Sequence, residues 1–98
     1  QQELRDIYEE LVEIDTSDAG GGTTAAAEAV ARRLRAAGIP AEDIRVLGPT
    51  PEKMNLVARL RGRGERRPLL LLAHLDVVDA RREDWTVDPF QLLEADGF

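Results

Sequence analysis

Residues 69–78 have the sequence LLLLAHLDVV, and this stretch indicates more about the fold than any other. Its first five residues are all apolar, as expected of a strand that is covered on both faces in the middle of a sheet. The run ends in His74, and Asp76 follows two residues later, on the same side of an extended chain. We therefore expect a buried strand that places both side chains at the carboxyl edge of a sheet, where open α/β folds have their sites.

Two helices are predicted upstream of this strand. Apolar residues recur at three- and four-residue spacing over residues 4–14, with glutamates on the other side, which predicts an amphipathic helix. A second helix is expected over about residues 25–37, with Thr23 or Thr24 as its N-cap and Gly38 as its end. The glycine-rich residues 15–22 between the helices form a loop. The core face of the second helix would consist of Ala26, Val30, Leu34 and Ala37.

Further strands are predicted on both sides of the leucine run. Apolar and polar residues alternate over residues 44–47 and 56–61, and the short link between them favours antiparallel neighbours. Residues 91–94 suggest one more short strand. Asp88-Pro89 and Asp96-Gly97 are turn signals. Together these patterns predict an α/β fold with two helices and three or four strands.

Composition limits the function. The 98 residues have a formal net charge of −6 and a pI near 4.7, so we expect no nucleic-acid partner. No apolar run approaches the roughly 20 residues that cross a bilayer, and we expect no membrane partner. Because there is no cysteine, a metal would be held by histidine and carboxylates. The compartment, cytoplasmic or exported, is left open.

His74 and Asp76 are the candidate site residues. A carboxylate in this position can accept a hydrogen bond from the ring nitrogen that does not face a metal, which fixes the tautomer of the ligand. The plainer interpretation is a strand-end histidine bonded to a backbone carbonyl, with Asp76 capping the next loop. A single histidine also cannot hold zinc, which takes three or four protein ligands.

A family resemblance favours the metal interpretation. The order of elements, with AHLDVV at 73–78, WTVDPF at 85–90 and ADGF at 95–98, resembles the beginning of one metallopeptidase family. That family includes glutamate carboxypeptidase, aminoacylase, succinyl-diaminopimelate desuccinylase and several dipeptidases. The resemblance extends over essentially all 98 residues, and these three segments together are far more specific than His-x-Asp alone.

The resemblance implies the N-terminal part of a three-layer α/β/α catalytic domain with a mixed sheet. It implies that His74 is a ligand of one of two zinc ions, with cobalt or manganese as alternative ions, and that Asp76 belongs to the catalytic machinery as the residue that orients His74. The bridging aspartate, the general base and the other ligands of the family follow a segment like ADGF. We therefore expect residues 1–98 alone to be inactive.

The whole protein is expected to hydrolyse an amide bond in a small peptide or an N-acyl amino acid, and to form homodimers through a domain that lies outside these residues. Two alternatives stay open. One is a related aminopeptidase-type zinc hydrolase that has a similar His-x-Asp ligand. The other is a non-catalytic α/β interaction module in which His74 is structural.

Three other features have simpler interpretations. Trp85 and Phe90 are expected to pack beside a turn rather than to bind substrate. The glycines at 20–22 lack the buried strand and the lysine of a phosphate-binding loop. Arginines 61, 63, 66 and 67 are expected to form a solvated hairpin tip.

Overall fold

The computed structural model describes residues 1–97, and these form an α/β arrangement of helices and one antiparallel hairpin. The helices are α1 (Gln2–Val12) and α2 (Thr24–Ala36), and the strands are β1 (Ile44–Leu47) and β2 (Asn55–Ala58). Two short 3-10 helices, Ala41–Asp43 and Arg82–Asp84, complete the order of elements. The predicted α/β class is confirmed, and each long helix lies within two residues of its predicted bounds.

Helix α2 ends as its sequence predicts. Gly38 has a φ of +93°, a backbone conformation that favours glycine. Its N–H donates to the carbonyl of Arg35, and the N–H of Ile39 donates to the carbonyl of Leu34. These two bonds form a Schellman motif, which satisfies carbonyls that the helix itself leaves unpaired.

The buried core lies where α2 packs against the hairpin. Helix α2 contacts both strands and also contacts α1. The predicted core face is right for Ala26 and wrong for Ala37, which is exposed, while Val30 and Leu34 are half-buried. Small side chains let the helix approach the sheet closely, so the larger apolar residues lie at the margin. The buried apolar residues are Ala26, Ala27, Ala29, Ala31 and Ile44.

The two strands pair antiparallel, as predicted from their short connection. Ile44 is paired with Ala58 and Val46 with Leu56. An ion pair joins the two outer ends of the hairpin: Arg61 donates from Nε and from its terminal nitrogen to the two carboxylate oxygens of Asp43, at 2.7 Å each. Arg61 was expected to be a solvated arginine at a hairpin tip; its side chain is 64% exposed, and it also pairs with Asp43, a contact that the sequence did not predict.

The predicted central strand at residues 69–73 is not formed. Among residues 1–97, the sheet consists of β1 and β2 alone, and Leu69 to Leu72 are 75–87% exposed. An apolar run becomes a strand only when a neighbouring backbone supplies its hydrogen bonds and side chains cover its faces. Neither condition is met in the described residues, so the segment that was expected to be best buried is among the most exposed.

The C-terminal predictions divide in the same way. Residues 91–94 form no strand, again because no neighbouring strand pairs with them in the described part of the chain. Both turn signals are confirmed, since turns depend on local chemistry. The Asp88 carboxylate accepts a hydrogen bond from the Phe90 N–H at 2.9 Å. Asp96 and Gly97 have φ values of +53° and +86°. Within residues 1–97, no helix has the length and apolar character that crossing a membrane requires.

Candidate functional site

His74 and Asp76 lie together on the surface of the molecule. The Nδ1 atom of His74 is 2.9 Å from the backbone oxygen of Asp76 and 3.5 Å from its Oδ1. The two side chains are 84% and 75% exposed. The structure thus brings the predicted site residues into contact, but in an irregular segment rather than at the end of a buried strand.

The contact between these residues determines which ring nitrogen of His74 is available. A carbonyl oxygen can only accept a hydrogen bond, so Nδ1 carries the proton and donates it in this geometry. In the neutral ring with this tautomer, Nε2 carries the lone pair that a metal ligand needs. The main-chain oxygen of Asp76 is closer to Nδ1 than the carboxylate of Asp76 is. The roles of ligand for His74 and orienter for Asp76 stay predictions.

The loop after α1 holds this segment from behind. Thr16 donates from its hydroxyl to the carbonyl of Leu75 at 2.7 Å, and Leu75 lies between His74 and Asp76. Thr16 is 5% exposed. A second bond joins the Ala19 N–H to Oδ1 of Asp79 at 3.3 Å. The loop therefore contacts the candidate site on both sides of Asp76.

The loop has its own internal order. The Oδ1 atom of Asp15 accepts hydrogen bonds from the N–H and the hydroxyl of Ser17, at 3.0 and 2.6 Å. The Ser17 hydroxyl in turn accepts from the Gly20 N–H at 3.1 Å. A Cβ atom at Gly20 would overlap the Asp15 carboxylate, so a residue with a side chain does not fit at this position unless Asp15 moves. The glycine run thus completes a turn, in agreement with the loop interpretation.

A positive charge lies within electrostatic reach of Asp76. The hydrogen bond that Lys53 donates to Asp18, at 3.0 Å, raises the pKa of the lysine ammonium, and the charges of Asp18 and then Asp76 raise this pKa further. The link between β1 and β2 therefore contributes a cation to the surroundings of the site.

A groove of about 570 Å³ lies between α1 and the chain around the site. Its lining is mainly apolar and includes His74. Trp85 and Phe90 both line it, and Trp85 is half-exposed. Helix α1 contributes Tyr8, Leu11 and Val12 to the opposite side.

Among the described residues, the side chains near His74 supply too few ligands for a zinc ion. Residues 1–97 contain no group of three or more His, Cys, Asp and Glu side chains placed to hold a metal ion. Structural and catalytic zinc sites take three or four protein ligands. These residues therefore do not fit a complete zinc centre. His74 and Asp76 could supply one ligand of such a centre and the residue that orients it.

Sequence reasoning missed Thr16, Asp15 and Lys53 as neighbours of the site. The signal for the first two is the run Asp15-Thr16-Ser17, because these residue types form hydrogen bonds between side chain and backbone in turns. Lys53 has no such signal. Its position depends on how the hairpin packs against the loop.

Comparisons with known proteins give a short, partial match. No protein-family profile matches the chain, and no solved structure matches it. A stretch of 32 residues is 56% identical to an N-fatty-acyl-amino acid synthase/hydrolase of Bos taurus and 53% identical to that of Mus musculus. The stretch covers 33% of this chain and 6% of the length of each relative. Along 33% of its length, the chain is thus similar to enzymes whose name gives N-fatty-acyl-amino acids as the compounds that they synthesise or hydrolyse.

Proposed function

We propose that this chain is the first part of the catalytic domain of a zinc-dependent amidohydrolase, in which His74 is a metal ligand and Asp76 orients it. The observation that supports this most directly is the ring geometry. Nδ1 of His74 faces the main-chain oxygen of Asp76 at 2.9 Å, with the carboxylate of Asp76 at 3.5 Å, so the neutral ring in this geometry has Nε2 free to bind a metal. The exposure of the ring, at 84%, leaves room for further ligands to approach.

The substrate class follows from the similarity. Because both matched relatives are named for N-fatty-acyl-amino acids, we propose an N-acyl amino acid as the substrate, with a small peptide as the alternative. Zinc, or cobalt or manganese in its place, would supply Lewis-acid polarisation of the scissile carbonyl. His74 would contribute its imidazole Nε2 to such a site, and Asp76 would keep the ring oriented.

Residues 1–97 alone do not supply enough ligands to bind a catalytic zinc ion. Residues 1–97 supply one ligand and its partner, so the remaining ligands and the general base would come from other residues of the whole enzyme. We propose no nucleic-acid or membrane partner for the protein. We propose that homodimers form through a separate domain.

The test uses the intact protein and two site variants. We expect His74→Ala to lose bound zinc and to reduce hydrolysis of N-acyl amino acids to background. Asp76→Ala removes the carboxylate that lies 3.5 Å from Nδ1 and keeps the main-chain oxygen, so we expect zinc affinity or activity to fall by roughly 10-fold, the lower end of the usual effect of losing an orienting partner. Zinc is measured by elemental analysis and hydrolysis by release of the free amino acid. Asp6→Asn, an exposed aspartate on α1, is the matched control and should behave like the parent.

Each alternative gives a different result. Residues 1–98 alone should show no amidase activity, and activity in that chain would contradict the proposal. Preference for peptides with a free amino terminus would favour the aminopeptidase-type hydrolase. An intact protein without bound metal, or full turnover in His74→Ala, would favour the interaction module.

A further inference from the structure

We propose that Thr16 is a positioning residue for the pair His74 and Asp76. Its hydroxyl fixes the backbone at Leu75, the residue between them, and so sets where both side chains stand. The consequence for metal binding rests on the function proposed above, whereas the positioning itself is a property of the chain and can be measured without metal.

Few contacts hold the segment that contains His74 and Asp76. In the part of the chain that the structure describes, residues 69–79 belong to no helix or strand. Two hydrogen bonds connect them to the rest of these residues: Thr16 Oγ1 to the Leu75 carbonyl at 2.7 Å, and the Ala19 N–H to Asp79 at 3.3 Å. The first is shorter and its donor is 5% exposed, so it competes least with water.

The loop that contains Thr16 is itself joined to the hairpin on its other side. The Thr23 hydroxyl donates to the Met54 carbonyl at 2.7 Å, and the Thr24 hydroxyl donates to the Pro51 carbonyl at 2.6 Å. With the internal bonds between Asp15, Ser17 and Gly20, these contacts join the loop to the hairpin link. Thr16 therefore connects the segment of His74 and Asp76 to a loop that is itself hydrogen-bonded to the hairpin.

The side chain of residue 16 acts through its hydroxyl group. The bond requires a hydroxyl donor at residue 16, and valine would fill nearly the same volume without donating. Serine would keep the donor. Thr23 offers a matched control, because its hydroxyl makes a bond of the same length to a carbonyl of a different segment.

The experiment compares the parent chain with Thr16→Val, Thr16→Ser and Thr23→Val by nuclear magnetic resonance at one fixed pH. In Thr16→Val we expect the Leu75 carbonyl ¹³C resonance to move in the direction of lost hydrogen bonding. We also expect ¹⁵N order parameters of residues 74–79 to fall from near 0.85 towards about 0.6. The ring signals of His74 are unambiguous because the chain has one histidine, and they should shift as well. Thr16→Ser keeps the hydroxyl donor, so the Leu75 carbonyl resonance, the order parameters and the His74 ring signals should stay near their parent values.

The control separates positioning from general stability. Thr23→Val should lower the melting temperature about as much as Thr16→Val. It should change the Leu75 carbonyl and residues 74–79 much less, because the bond from Thr16 to Leu75 is intact and the Thr24 hydroxyl still joins the loop to the hairpin link. The proposal is overturned if Thr16→Val leaves these signals at their parent values, if Thr23→Val changes them equally, or if Thr16→Ser fails to restore them.

A second measurement tests the link to function. In the intact protein, Thr16→Val should weaken zinc binding by roughly 10- to 100-fold, and Thr16→Ser should stay near the parent value. If the resonance changes occur but no variant binds zinc, the positioning role stands and the proposed function fails. If zinc binds and the resonance changes are absent, the positioning role fails and the proposed function stands.

Discussion

At the scale of single residues, the best-defined charge interaction is the pair of Asp43 and Arg61. The Asp43 side chain is 4% exposed and accepts two hydrogen bonds from the guanidinium, a geometry that favours the ionised carboxylate. These hydrogen bonds lower the pKa of Asp43 below its ordinary value near 3.8. Burial opposes the shift, while the charges of Arg61 and Arg59 add to it. The carboxylate therefore stays charged in the folded chain at a pH where it is protonated in the unfolded chain.

A pH dependence follows from the direction of that shift. Because the folded pKa is depressed, the stabilisation is fully present above the unfolded value near 3.8 and is lost as the pH falls through the lower, folded value. We expect the parent to be more stable than Asp43→Asn at about pH 7, with the difference shrinking below about pH 4. Urea unfolding across this pH range measures it. The exposed Glu65→Gln is the control, and a constant difference between parent and Asp43→Asn would contradict the assignment.

At the scale of elements, the molecule divides into a packed half and an exposed segment. Helix α2 and the hairpin bury Ile44 and four alanines, whereas the leucines at 69–72 are open to solvent. Exposed apolar runs in extended chain are sites of association, because both their side chains and their backbone groups are free to pair. The leucine run should therefore affect association more than folding stability.

Substitution of the leucines tests this division. We expect Leu70→Glu with Leu72→Glu to change the free energy of unfolding by less than about 0.5 kcal/mol per site, as is usual for exposed positions. The same double variant should stay monomeric at concentrations where the parent associates, as measured by analytical ultracentrifugation.

The control is Ile44→Ala, at a position that is 6% exposed. It should cost roughly 2–5 kcal/mol because it removes packed core volume. A loss of stability in the leucine variant as large as that of Ile44→Ala would mean that the run is buried in solution.

At the scale of the whole molecule, residues 1–97 are extended for their number. The radius of gyration is 15.8 Å, against about 13 Å for a compact domain of this size. The burial is also uneven: α2 has four buried residues and α1 has none. Exposed and half-exposed ion pairs of Glu10 with Arg32 and Arg33 join α1 to α2, and such pairs stabilise weakly.

Hydrogen exchange should reveal this unevenness. Because local opening is easiest where few apolar contacts are buried, we expect amides of α2 to be protected about tenfold or more over those of α1. Strand β1 should resemble α2, since Ile44 belongs to the same core. The measurement is residue-resolved exchange at neutral pH. Equal protection in α1 and α2 would show that the core extends to α1.

Much of the local structure could be predicted from the sequence. The bounds of α1 and α2, the antiparallel pairing of β1 with β2, and the turns at Asp88-Pro89 and Asp96-Gly97 agree with their patterns. These features depend on periodicity and turn chemistry within a few residues. The contact of His74 with Asp76 was also predictable, because two residues of spacing bring the groups within reach in many backbone conformations.

Other features were decided by the tertiary structure alone. The hydrogen bond from Thr16 to Leu75 joins residues 59 apart, and the pair of Asp43 and Arg61 joins residues 18 apart. The fate of residues 69–73 is of the same kind. An apolar run shows that burial is favourable, but whether it becomes a strand depends on a neighbouring backbone and on covering side chains, which no pattern within the run can specify. Local sequence thus determined the two helices, the hairpin and the turns, whereas long-range packing decided whether residues 69–73 form a strand, which residues are buried and what surrounds the histidine.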